Sequence, residues 1–230
     1  MVRIATLRCQ TQPLLHKLSM MTPEELKYQA MEAHDIDTSL EQYAMCLDLQ
    51  YAPSAQTQSR SLPLQTRSAH HEFEITARSY SSHSHASDWN RYRALLIIVK
   101  SIRIRLLRAL VKEIHPENAL LSEIGRCQQT ITEMATDMLN SIPYFYIKPH
   151  KQGTTPIRSD TGTEVCTHGT DHEIIPLVAT LLAWPLTVAV CAETVPEPQK
   201  SSLKGVLQFV ASITGDNVPT TVHGKPQLII

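Results

Sequence analysis

The chain has 230 residues, of which 42% are hydrophobic, 19% are charged and 5% are aromatic, and its 21 Lys and Arg nearly balance its 22 Asp and Glu. This balance gives no basic footprint for nucleic-acid binding, and seven glycines against fourteen prolines disfavour a glycine-rich nucleotide-binding fold. The low aromatic content disfavours an all-β sandwich, while the length allows one domain with a substantial core, or one large and one small domain.

The N-terminal segment contains three basic residues and no acidic residue before Glu24. It has no apolar run of the kind found in secretory signals, and Pro13 interrupts the apolar face that a mitochondrial presequence needs. We therefore expect residues 1–37 to form a disordered leader followed by a short helix.

Two capping-box sequences mark predicted helix starts. Thr22-Pro23-Glu24-Glu25 combines an N-cap, a proline at the first helical position and a glutamate three residues after the cap, and predicts a short helix to about residue 34. Thr38-Ser39-Leu40-Glu41 repeats this spacing and predicts a second helix at the start of a domain of residues 38–220. Residues 53–87 are rich in Ser, Gln, Thr and His, and predict a long loop or a partly ordered linker within that domain.

Three further helices follow from apolar periodicity. The first is capped by Ser87 or Asp88, ends before Pro116 and is apolar on two faces, which is typical of the central helix of a bundle. The second spans about 117–140, and the third about 199–214. The predicted fold class is therefore mainly α, an irregular helical bundle with a tail at residues 221–230.

One apolar run, residues 174–192 (IIPLVATLLAWPLTVAVCA), has no charge over nineteen residues and is long enough to cross a bilayer. Its two prolines each remove a helical hydrogen bond, and its flanking residues Glu173 and Glu193 are acidic rather than basic. Its only aromatic residue, Trp184, lies in the middle of the run instead of at an interface. We therefore predict a buried helix, with a membrane span as the alternative.

The cysteines are odd in number, scattered and without a CxxC pair, so we interpret them as reduced thiols of an intracellular protein: Cys9, Cys46, Cys127, Cys166 and Cys191. A histidine-rich stretch could bind a metal weakly, but its spacing is typical of solvated loop side chains: His70, His71, Glu72, Glu74, His83 and His85. A polar loop contains acid–base groups without an oriented partner: Asp160, His168, Asp171 and His172. We therefore predict no catalytic, cofactor-binding or metal-binding residue, and no enzyme.

Basic side chains are frequent on the predicted central helix: Arg91, Arg93, Lys100, Arg103, Arg105, Arg108 and Lys112. At 100° per residue they spread around the helix and form no stripe that could follow a phosphate backbone. The pattern predicts salt bridges at the surface of the bundle and disfavours direct DNA binding.

Three short segments occur in a distinctive order. Trp89-Asn90-Arg91-Tyr92-Arg93 opens the long apolar and basic helix, Ser141-Ile142-Pro143-Tyr144 ends the next one, and Leu181-Leu182-Ala183-Trp184-Pro185-Leu186 lies in the apolar run. Together they resemble the WN-YR, SVPY and LLWPL motifs of the C-terminal regulatory region of fungal zinc-cluster (Zn2Cys6) transcription factors. The order and approximate spacing agree over residues 38–218.

The resemblance implies a regulatory, non-enzymatic helical protein of fungal origin in the nucleus, linked to the regulation of secondary-metabolite genes. The family reads DNA through six cysteines that hold two zinc ions, and this chain has five cysteines with none suitably paired. The implied partners are therefore proteins, including full-length transcription factors. The resemblance implies a truncated or cluster-associated paralogue that binds full-length factors, senses a small molecule or has lost function.

Two alternatives from other classes remain open. The first is a membrane-associated or accessory protein of a biosynthetic pathway, located in the cytoplasm or at the membrane and anchored through residues 174–192. The second is a small helical enzyme with a site at His168, Asp171 and His172.

Overall fold

The computed structural model describes residues 21–51, 54–59, 76–113, 118–146 and 176–214, which form five helices and two short strands. The helices are α1 (Pro23–Tyr51), α2 (His83–Glu113), α3 (Asn118–Tyr146), α4 (Pro176–Cys191) and α5 (Glu197–Thr214). The strands β1 (Ser54–Ser59) and β2 (Thr76–Ser79) pair antiparallel, with Ser54 opposite Ser79. The predicted mainly α class is confirmed. Residues 1–20 of the predicted leader and the predicted tail at 221–230 lie outside the described residues.

Helix α1 begins at the predicted capping box. The Thr22 amide donates to Glu25 Oε2 at 2.9 Å, and the Glu25 amide donates to Thr22 Oγ1 at 3.3 Å. The predicted break before residue 38 is wrong, because α1 continues without interruption to Tyr51. Thr38 and Ser39 do not cap a new helix; their hydroxyls donate to the carbonyl oxygens four residues earlier, at 3.1 and 2.8 Å. The predicted division at residue 37 therefore falls inside one helix.

Helix α2 begins earlier than predicted, at His83 instead of next to Ser87 or Asp88. Ser82 is the residue that caps it, because its Oγ accepts from the His85 amide at 3.2 Å and its carbonyl accepts from the Ala86 amide at 3.1 Å. The strands β1 and β2 and the first turn of α2 lie within the range 53–87 predicted as a loop or partly ordered linker, so the loop prediction is wrong at those residues. Residues 60–75 of that range lie outside the described residues.

The central position predicted for α2 is confirmed. It packs against α1, α3 and α4, and its buried side chains point in several directions around the helix axis. Ala94, Ile97, Val99 and Ile104 are all fully buried. The second strand, β2, packs beside α3.

Helix α3 continues beyond its predicted end at residue 140 and includes Pro143. The proline removes one backbone donor, but the C-terminal turn is held by the core, since Ile142 and Phe145 are both buried. Ser141 Oγ also donates to the Met138 carbonyl oxygen at 2.7 Å. Packing of this turn therefore outweighs the local helix-breaking signal.

The apolar run forms α4, as predicted, and packs against α2 and α5. Leu182, Leu186 and Ala189 are fully buried, whereas Trp184 is 38% exposed. Among the described residues, no helix combines the length and the apolar character that crossing a bilayer requires. The C-terminal helix α5 agrees with its prediction, and its apolar face, with Leu203 and Val206, is buried.

Candidate functional site

The predicted metal and acid–base candidates fall only in part within the described residues. His83 lies at the start of α2, and its ring packs 5.2 Å from that of Tyr144. His85 Nδ1 is hydrogen bonded to Ser81 Oγ. The other candidates lie outside the described residues: His70, His71, Glu72, Glu74, Asp160, His168, Asp171 and His172. Within the part of the chain that the structure describes, no three His, Cys, Asp or Glu side chains are placed to hold a metal ion.

The first two segments of the family resemblance meet in the core at Asn90. Its Oδ1 accepts a hydrogen bond from Arg93 Nη1 at 2.7 Å and another from Ser141 Oγ at 3.0 Å. All three side chains are buried. Ser141 has one hydroxyl proton and also donates to the Met138 carbonyl oxygen at 2.7 Å, so it shares that proton between the two acceptors. The Arg93 hydrogen bond fixes the orientation of the amide, since a flipped Asn90 would direct its NH₂ group at the guanidinium. The contact ties α2 to the C-terminal turn of α3.

Two aromatic rings lie beside the Arg93 guanidinium. Its Cζ is 5.9 Å from the ring centroid of Tyr80 and 5.7 Å from that of Trp89. Tyr80 packs edge-on against Tyr144 with 5.3 Å between ring centroids, and burial raises the pKa of Tyr144. Cation–π contacts contribute about 0.5 to 2 kcal/mol each. The surroundings of Arg93 are therefore largely aromatic and poor in hydrogen-bond acceptors.

The group formed by Tyr80, Asn90 and Arg93, which we call the Arg93 node, contains unused hydrogen-bonding capacity. The Tyr80 hydroxyl and Asn90 Nδ2 are buried and have no hydrogen-bond partner among protein atoms. The one hydrogen bond of the Arg93 guanidinium within the described residues is that to Asn90, and none of the described carboxylates forms an ion pair with it. Arg93 itself is only 1% exposed, and burial of an unpaired charge costs on the order of several kcal/mol.

A second buried polar group, the Asp37 network, connects α1, α2 and α3. Asp37 Oδ2 accepts from Lys100 Nζ at 2.7 Å and from Arg103 Nη1 at 2.8 Å. Arg103 Nη2 pairs with Glu123 at 2.7 Å, and Glu123 also pairs with Arg126. Apart from Arg126, these side chains are at most 13% exposed. The alternation of charges neutralises the buried groups and fixes the position of α1 on α2.

Asp37 and Tyr80 are absent from the candidates predicted from sequence. Asp37 carries a detectable signal, because it follows Ala33 by four residues and precedes Leu40 by three, and so lies beside the apolar face of α1. A carboxylate at such a position requires a buried partner. Tyr80 has no comparable signal, since it lies in a polar stretch without periodicity.

The basic side chains of α2 divide between surface and core. Arg91 and Arg105 form the partly exposed ion pairs predicted for a bundle surface, at 3.6 and 3.2 Å from their carboxylate partners. Arg93, Lys100 and Arg103 are instead mostly buried, so the predicted surface location is wrong for these three. The expectation that the chain does not bind DNA directly stays a prediction.

Three cysteines fall within the described residues, and none of the three is joined in a disulfide there. Cys46 is exposed, Cys127 is buried and Cys191 is half-buried. Burial raises the pKa of both Cys127 and Cys191, although the nearby cations Arg103 and Lys200, respectively, oppose this shift. Cys9 and Cys166 lie outside the described residues.

The rates at which the three cysteines of the folded protein are alkylated should differ with their burial. At pH 7.5 we expect iodoacetamide to modify Cys46 well before Cys127, because burial limits access to Cys127 and its raised pKa keeps it in the unreactive thiol form. Raising the pH should accelerate modification of Cys127, since more thiolate then forms. Peptide mass spectrometry measures both rates, and chemically unfolded protein is the control. Equal rates at Cys46 and Cys127 in the folded protein would contradict the described burial.

No protein-family model matches the chain, and neither a curated protein nor a solved structure is significantly similar to it. The resemblance to zinc-cluster factors therefore rests on the three short segments themselves. Two of these segments contribute the hydrogen-bonded residues Asn90, Arg93 and Ser141, and the third contributes the fully buried Leu182 and Leu186.

Proposed function

We propose that this chain is a non-enzymatic helical regulatory protein that acts through contacts with other proteins, as the resemblance to fungal zinc-cluster transcription factors implies. The observation that carries the proposal is the hydrogen bond between Asn90 and Ser141, which joins two of the resembling segments across 51 residues of sequence. The packing of α2 against α3 brings the start of one helix next to the end of the other, and the hydrogen bond shows that the two segments also share a buried polar contact there.

A partner-binding surface is available on α1. Tyr28, Met31 and Met45 are each more than 60% exposed and lie on the side of the helix away from Ile36 and Leu40, which face the core. Tyrosine and methionine are enriched in protein interfaces. We call these three exposed residues the outer face of α1.

The charge of α1 defines the kind of partner. Glu24, Asp35 and Glu41 are exposed on the same helix, whereas Lys27 is the one exposed Lys or Arg among its described side chains. Complementary charge favours a partner whose apolar contact surface is bordered by basic residues. We assign this role to a full-length zinc-cluster factor, with the complex in the nucleus and a function in regulating secondary-metabolite genes.

Binding of a purified zinc-cluster factor from the same genome tests the proposal directly. We expect isothermal titration calorimetry to detect a complex, and Met31→Glu to weaken it at least tenfold because a charge is placed in the contact surface. Leu121→Glu is the matched control, since Leu121 is also exposed but lies on α3. This control variant should bind like the wild type.

Reporter transcription in cells gives the second readout. Deleting the gene for this chain should change expression from a promoter that the bound factor controls. Reintroducing the gene with the Met31→Glu substitution should not reverse the change, whereas the wild-type gene should. Unchanged transcription together with the absence of a complex with every zinc-cluster factor of that genome would refute the proposed function.

A further inference from the structure

We infer that the Arg93 node is a binding site for a small carboxylate anion. The inference goes beyond the proposed function and does not depend on it, because the site is defined by the chemistry of Tyr80, Asn90 and Arg93 and not by any protein partner.

The charge of Arg93 is the first reason. A guanidinium stays protonated in proteins, so burial cannot be relieved by loss of the proton. Arg93 is 1% exposed, and the described residues supply it with no carboxylate and with one hydrogen-bond acceptor. The two neighbouring rings, Tyr80 and Trp89, offset part of the desolvation cost, but cation–π contacts are weaker than an ion pair in a buried setting. A bound anion would supply the missing counter-charge.

The balance of donors and acceptors is the second reason. Asn90 Oδ1 already accepts from Arg93 and from the Ser141 proton that is shared with the Met138 carbonyl oxygen. The remaining groups can all donate: the unused N–H groups of Arg93, the Asn90 NH₂ group and the Tyr80 hydroxyl. Buried donors are almost always paired in folded proteins. The group that would complete this node is therefore an acceptor with several lone pairs.

The net charge of the node selects the class of anion. One guanidinium supplies one positive charge, which a monovalent carboxylate neutralises and can engage with two parallel hydrogen bonds. A phosphate dianion would require a second cation. Lys100 and Arg103, the other basic side chains buried on α2, are already paired with Asp37. A small carboxylate therefore fits the node better than a phosphate does.

Thermal unfolding of the full chain in sodium acetate tests this inference against sodium chloride at the same ionic strength. A ligand that binds only the folded state raises Tm with the logarithm of its concentration once that exceeds Kd, and we expect a rise of about 5 °C at an acetate concentration on the order of ten times Kd. Arg93→Met should abolish the rise. It should also unfold no earlier than the wild type in chloride, because an apolar side chain of similar length needs no counter-charge.

Two further variants complete the test. Arg91→Met is the matched control, since Arg91 lies on the same helix but its side chain is 57% exposed, and this variant should keep the acetate response. Tyr80→Phe retains the ring beside Arg93 and removes only the unpartnered hydroxyl, so it should fold and require a several-fold higher acetate concentration for the same rise. This variant keeps the test decisive even if Arg93→Met does not fold.

Three results would overturn the inference. The first is a wild-type Tm that does not change up to 0.1 M acetate. The second is a rise in Tm equal to that of the wild type, either in a folded Arg93→Met variant or, at every acetate concentration, in Tyr80→Phe. The third is a larger rise with inorganic phosphate than with acetate at equal ionic strength, which would reject the carboxylate assignment.

Discussion

Replacing Asp37 with alanine is expected to lower the free energy of unfolding by about 3 to 5 kcal/mol, the range measured when one partner of a buried ion pair is removed. The carboxylate accepts from both Lys100 and Arg103, and its side chain is only 3% exposed. Alanine would leave two largely buried cations close together, with Glu123 as the one described carboxylate still paired to them, through Arg103. Urea denaturation followed by circular dichroism measures the loss.

The exposed Asp35 provides the control for this substitution. Asp35→Ala removes the same group from the same helix, and we expect a change of less than about 0.5 kcal/mol because the side chain is exposed. A variant with Asp37→Leu, Lys100→Met and Arg103→Leu should recover much of the lost stability, because it removes these three buried charges together and leaves Glu123 paired with Arg126. A loss below about 1 kcal/mol in Asp37→Ala would mean that the network does not hold α1 on α2.

Local signals account for the helices that were correctly predicted. The start of α1 depends on a reciprocal pair of hydrogen bonds between Thr22 and Glu25, which neighbours in sequence can form without the rest of the chain. Helix α5 likewise has a regular apolar face that includes Leu203 and Val206. In both cases the decisive residues lie within a few turns of each other.

Tertiary contacts explain the predictions that failed. Thr38 and Ser39 are able either to cap a new helix or to donate to a carbonyl four residues earlier, and the sequence alone does not choose between these. The choice is made by Ile36 and Leu40, which are buried in the core and keep α1 continuous. The same applies at Pro143, where buried neighbours keep the last turn of α3 helical.

The candidate site could be predicted only in part for the same reason. The resemblance drew attention to Asn90, Arg93 and Ser141, but it did not indicate that Asn90 and Ser141 share a hydrogen bond over 51 residues of sequence. The pairing of Asp37 with Lys100 spans 63 residues. Periodicity reports on which face of a helix is buried, and it carries no information about which helices then meet.

Leu182→Ala in α4 is expected to lower the free energy of unfolding by about 2 to 5 kcal/mol, as large-to-small changes in packed cores do. Leu182 is fully buried in a helix that packs against α2 and α5, so removing its side chain leaves a cavity between helices. Leu121→Ala is the matched control, because the same change at a side chain that is 48% exposed should cost less than about 1 kcal/mol.

The size of the Leu182→Ala effect also distinguishes a core helix from a membrane anchor at residues 174–192. In a packed helical core each lost methylene group reduces the stability of the whole bundle, so α1 to α5 should unfold together at a lower urea concentration. If the run were a lipid-facing anchor, Leu182 would exchange one apolar environment for another, and its truncation would leave the stability of the remaining helices unchanged. Urea unfolding of Leu182→Ala in a Trp184→Phe background, in which Trp89 of α2 is the one remaining tryptophan, reads out this coupling from a different helix through Trp89 fluorescence. An unchanged Trp89 transition would contradict the packing of α4 against α2.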